Sequence, residues 1–235
     1  MRFEPAPGWV PAGQRVYAIG DIHGCAERLR TLHGRIAADL KARPALATLV
    51  HLGDYVDKGP DPAGVVAHLV AGDPVPGCLT VSLAGNHEAL LLGALVGEPL
   101  ALADFLAWGG RETLASYGMA VEDGPAAWDA AFPAEHRRWL EQRPMTWRLG
   151  GYFFTHAGIR PGVPLDRQDP RDLTGIRQSF LASEEDHGVV VVHGHTAALS
   201  VTVRANRIGL DTAAWSGGAL SCAVLEDERV GFLEG

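Results

Sequence analysis

Gly53-Asp54-Tyr55-Val56-Asp57-Lys58-Gly59-Pro60 directly follows the apolar run Ala47-Thr48-Leu49-Val50-His51-Leu52. A short apolar run closed by a glycine-bounded polar loop predicts a buried strand and the turn beyond its carboxyl end. In open α/β sheets, such ends are where ligands collect. The loop supplies two carboxylates and one cation, and Asp54, the first carboxylate, is the candidate bridge between two metal ions.

On both sides of this stretch the same unit recurs. Arg15-Val16-Tyr17-Ala18-Ile19 stops at Gly20-Asp21-Ile22-His23-Gly24, and Leu29, Leu32, Ile36 and Leu40 then recur at helical spacing. Asp61-Pro62 reads as a helix cap followed by proline in the first turn, with Val65, Val66, Leu69 and Val70 on the buried face. Leu79-Thr80-Val81-Ser82-Leu83 ends at Gly85-Asn86-His87-Glu88 and leads into another apolar helix. Three strand–loop–helix units in succession predict a largely parallel sheet with right-handed crossovers, so the three loops share one sheet edge. Residues 97–143 read as a small helical cap beside the site. Beyond Pro144 the period switches to two: Tyr152-Phe153-Phe154-Thr155 ends at His156, and Val189-Val190-Val191-Val192 ends at His193-Gly194-His195-Thr196. The last strands, within 199–233, are expected to form an antiparallel second sheet closing on the first.

The bulk properties set outer limits. A chain of 235 residues, 47% hydrophobic and 20% charged, has the composition of an ordinary globular protein. We read it as a single domain over 1–235 with a lightly ordered lead-in over 1–14. The net charge of −8 argues against binding a nucleic-acid polymer, which needs a basic face. Cys25, Cys78 and Cys222 are odd in number and lack CxxC spacing, which favours a reducing compartment over a disulfide framework. The N-terminus has an acid and prolines where a secretory signal needs an apolar core, and no apolar run approaches a bilayer span. The expectation is a cytoplasmic enzyme with no membrane partner.

Asp21 and His23, Asp54, Asn86, His156 and His195 all lie just past a strand-like run. Singly, each has an ordinary explanation: a turn former, a helix cap or a solvated histidine. Their shared structural position argues against that explanation for the set. Imidazole with carboxylate and amide oxygen, and no thiolate, suits Mn²⁺, Fe or Zn²⁺. Six ligands are too many for one catalytic ion that must keep open positions. Shared between two divalent ions bridged by Asp54, they leave room for substrate.

The blocks Gly20-Asp21-Ile22-His23-Gly24, Gly53-Asp54-Tyr55-Val56-Asp57-Lys58-Gly59 and Gly85-Asn86-His87-Glu88 resemble the signature of the calcineurin-like metallophosphoesterases. Within them, the chain is similar to the bacterial serine/threonine phosphatases. His156-Ala157-Gly158, Ile176-Arg177, His193-Gly194-His195-Thr196 and Leu210-Asp211-Thr212 extend the likeness to the C-terminus. The resemblance implies an α/β fold with a two-sheet β-sandwich flanked by helices. It also implies two divalent metal ions, Mn²⁺ first. Asp21, His23 and Asp54 would hold one ion, and Asp54, Asn86, His156 and His195 the other. His87 would be the general acid, oriented by Asp57, and His193 a structural neighbour. Asn86, Lys58 and Arg177 would bind the substrate phosphate, with Lys58 standing where the family usually has arginine. Arg111 and Arg160 read as solvated surface residues rather than further phosphate contacts.

The expected reaction is hydrolysis of a phosphomonoester by direct attack of a water shared by the two ions. Phosphoserine or phosphothreonine in a phosphorylated protein is the first expectation. A dinucleoside polyphosphate is the alternative, as a small phosphate-ester substrate, and a non-catalytic scaffold ranks last because no ligand is missing.

Overall fold

A computed structural model describes residues 1–235. The chain opens with β1 (Phe3–Pro5) and β2 (Gln14–Ile19), then alternates α1 (Ala26–Ala42), β3 (Leu46–His51), α2 (Pro62–Val70), β4 (Cys78–Ser82) and α3 (Asn86–Leu95). Four short helices follow: α4 (Pro99–Ala107), α5 (Gly110–Ser116), α6 (Pro125–Ala131) and α7 (Ala134–Glu141). The remainder comprises β5 (Thr146–Leu149), β6 (Tyr152–Thr155), α8 (Pro170–Gly175), α9 (Gln178–Leu181), β7 (Val190–His193), β8 (Thr202–Val203), β9 (Arg207–Gly209), β10 (Ser221–Glu226) and β11 (Arg229–Glu234).

Two mixed sheets result. The first has the order β1-β11-β10-β2-β3-β4, with β2, β3 and β4 parallel; the second has the order β5-β6-β7-β9-β8, with β6, β7 and β9 parallel. Alternation along the strands explains the layering. Val16 and Ala18, Val50, and Ala223 and Leu225 meet Tyr152, Phe154, Val190 and Val192 in a buried cluster between the sheets. The opposite face of the first sheet, through Tyr17, Ile19, Leu49 and Val224, packs on Leu29, Leu32 and Ile36 of α1 and on Val65, Val66 and Leu69 of α2. Phe153 and Val191 face outward from the second sheet against Leu173 of α8 and Phe180 of α9. The order is therefore helix, sheet, sheet, helix. Emptying a core position such as Phe154 by truncation to alanine costs about 3–5 kcal/mol.

The expected α/β sandwich and the parallel run of β2, β3 and β4 are present. The Asp61 cap of α2 is present too, its carboxylate accepting from Gly64 N at 2.8 Å. Three expectations change. The lead-in is built into the fold: β1 pairs antiparallel with β11, Val10 is buried, and Gly151 N donates to Trp9 O at 2.9 Å. The last strands do not form one sheet. β8 and β9 extend the second sheet, whereas β10 and β11 return to the first, beside β2. Helices α4 to α7 are more than a cover, because Phe105, Leu114, Trp128 and Leu140 belong to the same core cluster as α1 and α2. No helix is long and apolar enough to cross a membrane, and the three cysteines are free.

Candidate metal centre and cleft

The carboxyl ends of five parallel strands, three in one sheet and two in the other, converge at one edge of the sandwich. Beyond β2 lie Asp21 and His23, beyond β3 lies Asp54, and Asn86 opens α3 after β4. His156 follows β6, and His195 follows β7. All six expected ligands come into this one region. Asp21, His23, Asp54 and His156 are buried, while Asn86 and His195 are half-buried.

Asp54 sits at the middle. Its Oδ2 lies 3.3 Å from His23 Nε2 and 3.9 Å from His87 Nε2, and its Oδ1 lies 3.4 Å from His156 Nε2. Two groups of ligand atoms lie close enough to hold an ion: His23, Asp54 and His87, and Asp54, His156 and His195. Asp21 stands slightly aside, with Oδ2 4.0 Å from His23 Nε2 and both oxygens accepting from His195 N at 3.0 Å.

The hydrogen-bond pattern fits cations between these groups. His23 Nδ1 donates to Val56 O at 2.8 Å, and His156 Nδ1 donates to Leu52 O at 2.9 Å. Each ring therefore turns its Nε2 lone pair inward. The His156 lone pair faces two acceptors, Asn86 Oδ1 at 3.0 Å and Asp54 Oδ1. Acceptors that face each other need a proton or a cation between them. Here burial lowers the His156 pKa, but the Asp54 charge outweighs it and holds the ring at about 10. Asp21 is held well above the usual carboxylate range by burial and then by Asp211. Burial would raise Asp54 as well, but His156, His87 and His23 pull it well below. His195 offers Nδ1 to Asn86 Oδ1 at 2.9 Å and keeps Nε2 buried without a partner.

Beside this cluster, His87 Nδ1 lies 2.6 Å from Asp57 Oδ2, and Thr113 of α5 donates to Asp57 Oδ1 at 2.6 Å. The His87 pKa is raised: burial lowers it, and the Asp54 and Asp57 charges outweigh that. Two further residues secure the loops. Glu88, next to His87, accepts from Asp54 N at 2.9 Å, Tyr55 N at 2.7 Å and Gly85 N at 2.9 Å. Gly109 O accepts from Lys58 N at 3.1 Å. A side chain at Gly85 would collide with Asp54 Oδ1. His23, Asp54, Asp57, Lys58 and His195 all have positive φ, between 40° and 70°, a strained conformation for side-chain-bearing residues.

Over the cluster opens a cleft of about 470 Å³ whose lining includes Asp54, Asn86, His87, Lys58 and Arg177. Lys58 donates from Nζ to His23 Nε2 at 2.9 Å, and its ammonium lies 5.5 Å from the Trp215 ring. Arg160 is instead tied to Asp172 at 2.6 and 2.5 Å, and Arg111 is exposed and lies outside this lining. His193 lies in neither ligand group and packs its ring against Phe180. Glu88, Thr113, Trp108 and Trp215 are site residues without an assigned role in the sequence. Only Glu88 had a local signal, an acid three residues into a helix behind Gly85, as in a capping box.

The chain belongs to the calcineurin-like phosphoesterase family, whose model matches residues 14–227. Among curated relatives, it is 31% identical over 146 residues to a symmetrical bis(5'-nucleosyl)-tetraphosphatase of Methylococcus capsulatus, covering 62% of this chain and 44% of the relative. The chain thus spans less than half of that relative's length. A solved structure of a candidate diadenosine tetraphosphatase is 28% identical with a TM-score of 0.68, and the match covers 96% of both chains. A cold-active protein-tyrosine phosphatase from a Shewanella species shares the fold, with a TM-score of 0.65 at 15% identity over 96% of this chain and 83% of the other.

Proposed function

We propose that this chain is a metal-dependent hydrolase of dinucleoside polyphosphates, splitting the phosphoanhydride chain between the two nucleosides. One arrangement carries the chemistry: Asp54 among His23, His87 and His156, with His87 tied to Asp57, at the floor of an open cleft. For the substrate, the tetraphosphatase relatives support the alternative drawn from the sequence over phosphoserine or phosphothreonine. The protein-phosphatase reading keeps the resemblance of the motif blocks as its support.

Asp21, His23 and Asp54 would hold one ion, and Asp54, Asn86, His156 and His195 the other, with Mn²⁺ the first to supply. Bound there, the ions would contribute Lewis acidity toward phosphoryl oxygens and an activated water. The residues of the chain do the rest. Lys58 and Arg177 set positive charge against phosphate oxygens, Lys58 as a point charge without the planar fork of an arginine. Asp57 accepts from His87 Nδ1, which fixes the ring and leaves Nε2 to carry the mobile proton. The water oxygen bonds to phosphorus as the bridging P–O bond breaks, and the departing phosphate oxygen takes the His87 proton. The water's proton goes to solvent, and His87 regains one from solvent for the next turnover.

The test is to strip the protein with chelator, reload it with Mn²⁺, and compare diadenosine tetraphosphate with phosphoserine and phosphothreonine peptides. The expected result is a kcat/KM at least about tenfold higher on the dinucleotide, a gap of about 1.4 kcal/mol in activation free energy. Faster turnover of the phosphopeptides refutes the proposal.

A further inference from the structure

Two large aromatic side chains stand in the cleft without a structural task. Trp108 is 48% exposed and Trp215 is 45% exposed, although the chain buries Trp128 to 1% in its main core. Half-exposed indoles at the mouth of a polar, charged cleft are apolar surface left for a ligand. Both sit at backbone turns. Trp108 caps the C-terminus of α4 and precedes Gly109, whose φ of 108° turns the chain and whose carbonyl holds Lys58 N. Trp215 lies in a tight turn that begins at Ala213, at φ 54°, where Asp211 Oδ1 accepts from Ala213 N at 2.9 Å and Arg28 donates to Gly218 O at 2.7 Å. Trp108 is thus anchored to the loop that carries Lys58, and the Trp215 turn is anchored to α1 through Arg28.

Their positions differ in a way that matches a two-ended substrate. The Trp108 ring lies 6.4 Å from that of His87. Trp215 lies under the Lys58 ammonium and also lines a neighbouring groove of about 550 Å³ that contains Arg28 and Arg30. If His87 protonates the leaving oxygen, the leaving nucleotide runs past His87 toward Trp108. The nucleotide retained on the attacked phosphorus runs past Lys58 toward Trp215 and its groove.

We infer that Trp108 and Trp215 are the base-stacking platforms of the cleft, Trp108 for the leaving nucleoside and Trp215 for the other. This rests on the tetraphosphatase reading above and adds to it the residues that recognise the nucleosides. Stacking on an aromatic ring tolerates any base, so the platforms select for a nucleoside at each end rather than for adenine.

The experiment compares ADP with inorganic pyrophosphate as binding probes on the Mn²⁺-loaded protein by titration calorimetry, which separates the base from the phosphates. The expected result is ADP binding about tenfold or more tighter than pyrophosphate. In Trp108→Ala and Trp215→Ala that ratio falls several-fold, and Trp108→Phe and Trp215→Phe restore most of it. The ratio of kcat/KM for diadenosine tetraphosphate over inorganic tetraphosphate falls in parallel. An unchanged ADP-to-pyrophosphate ratio in both alanine variants overturns the inference. The two readings fail separately: turnover of the dinucleotide with an unchanged ratio refutes the platforms alone, whereas a ratio that falls without such turnover refutes the tetraphosphatase reading and retains them.

Discussion

Replacing Glu88 with glutamine tests whether the site is built by its supporting carboxylate. Glu88 is buried, and its Oε2 accepts from Asp54 N and Gly85 N, both at 2.9 Å, while Oε1 accepts from Tyr55 N at 2.7 Å. Three close backbone donors, with Val56 N farther off at 3.4 Å, converge on one carboxylate. Burial and then the Asp54 charge raise its pKa to about 7, so above that pH the carboxylate is charged and the charge strengthens each bond. A glutamine in its better orientation places the amide oxygen at the Oε2 position and turns its NH₂ against Tyr55 N. That strands one buried donor, which costs about 1–3 kcal/mol, and weakens the other two bonds by about 1 kcal/mol each. The expected loss is therefore about 3–5 kcal/mol. For a domain of this size, that lowers Tm by roughly 6–20 °C. The measurement is urea unfolding of metal-free protein at pH 8.5, where Glu88 is ionised, because bound ions would mask the difference by mass action. Metal content after reloading is the second readout, because the same bonds hold the backbone of Asp54. A Glu88→Gln protein within about 1 kcal/mol of wild type and with full metal content refutes the reasoning, since isolated surface changes have effects of that size or less.

Two other predictions follow from the geometry. His87→Asn should leave metal content unchanged by elemental analysis and lower kcat about 10²–10⁴-fold on a poor leaving group such as phosphoserine, with a smaller loss when a diphosphate departs; an equal loss on both leaving groups contradicts the general-acid role. The file His68–His33–His51–Ser82, buried except at His68 and with contacts of 2.9, 3.0 and 3.0 Å, should make the fold acid-sensitive. Burial holds His33 at about 3 and His51 well below 6.5, so the unfolded chain takes up protons first as pH falls. The stabilisation is complete above about 6.5 and is lost toward pH 3, with about 2 kcal/mol gone at pH 5 from His33 alone. Urea unfolding at pH 7.5 and pH 5 should show a smaller loss in His33→Gln, and an identical loss contradicts the assignment.

The ligands were legible because they occupy one kind of position. Each follows an apolar run whose alternation marks a strand, and a parallel arrangement carries all such loops to one edge. The alternation also separated the face of β6 that meets the first sheet, Tyr152 and Phe154, from Phe153 on the outer face. Other features depend on contacts between distant parts of the chain. Thr113 belongs to a stretch that resembles the family, but its role shows only where α5 brings it to Asp57, and that of Trp215 only where its turn brings it to Lys58. The destination of β10 was hidden for a related reason. An apolar strand with two inward-facing residues fits either face of the sandwich, and the turn over 211–218 is what carries it back beside β2. The N-terminal stretch, rich in proline and glycine, lacked a strand pattern because β1 is only three residues long and draws its partner from the far end of the chain.

The helices over 99–141 have a closer connection to the chemistry than a cover over the cleft would have. Five residues at the site carry positive φ, and each such conformation costs on the order of 1 kcal/mol or more. Together that approaches the whole net stability of an ordinary domain, about 5–15 kcal/mol, so the loops stay strained only because independent parts of the fold hold them. For the loop at 53–60 these are Glu88 on one side, and on the other Thr113 and the Gly109 carbonyl, both supplied by the segment around α5. That segment is itself fixed by Phe105 and Leu114 in the largest core cluster. Core packing in α4 and α5 therefore bears directly on where Asp57 and Lys58 sit. A destabilising substitution there, far from any ligand, would relax the strained loop before it unfolded the sandwich, because the loop gains free energy by leaving the left-handed region while the sheets do not.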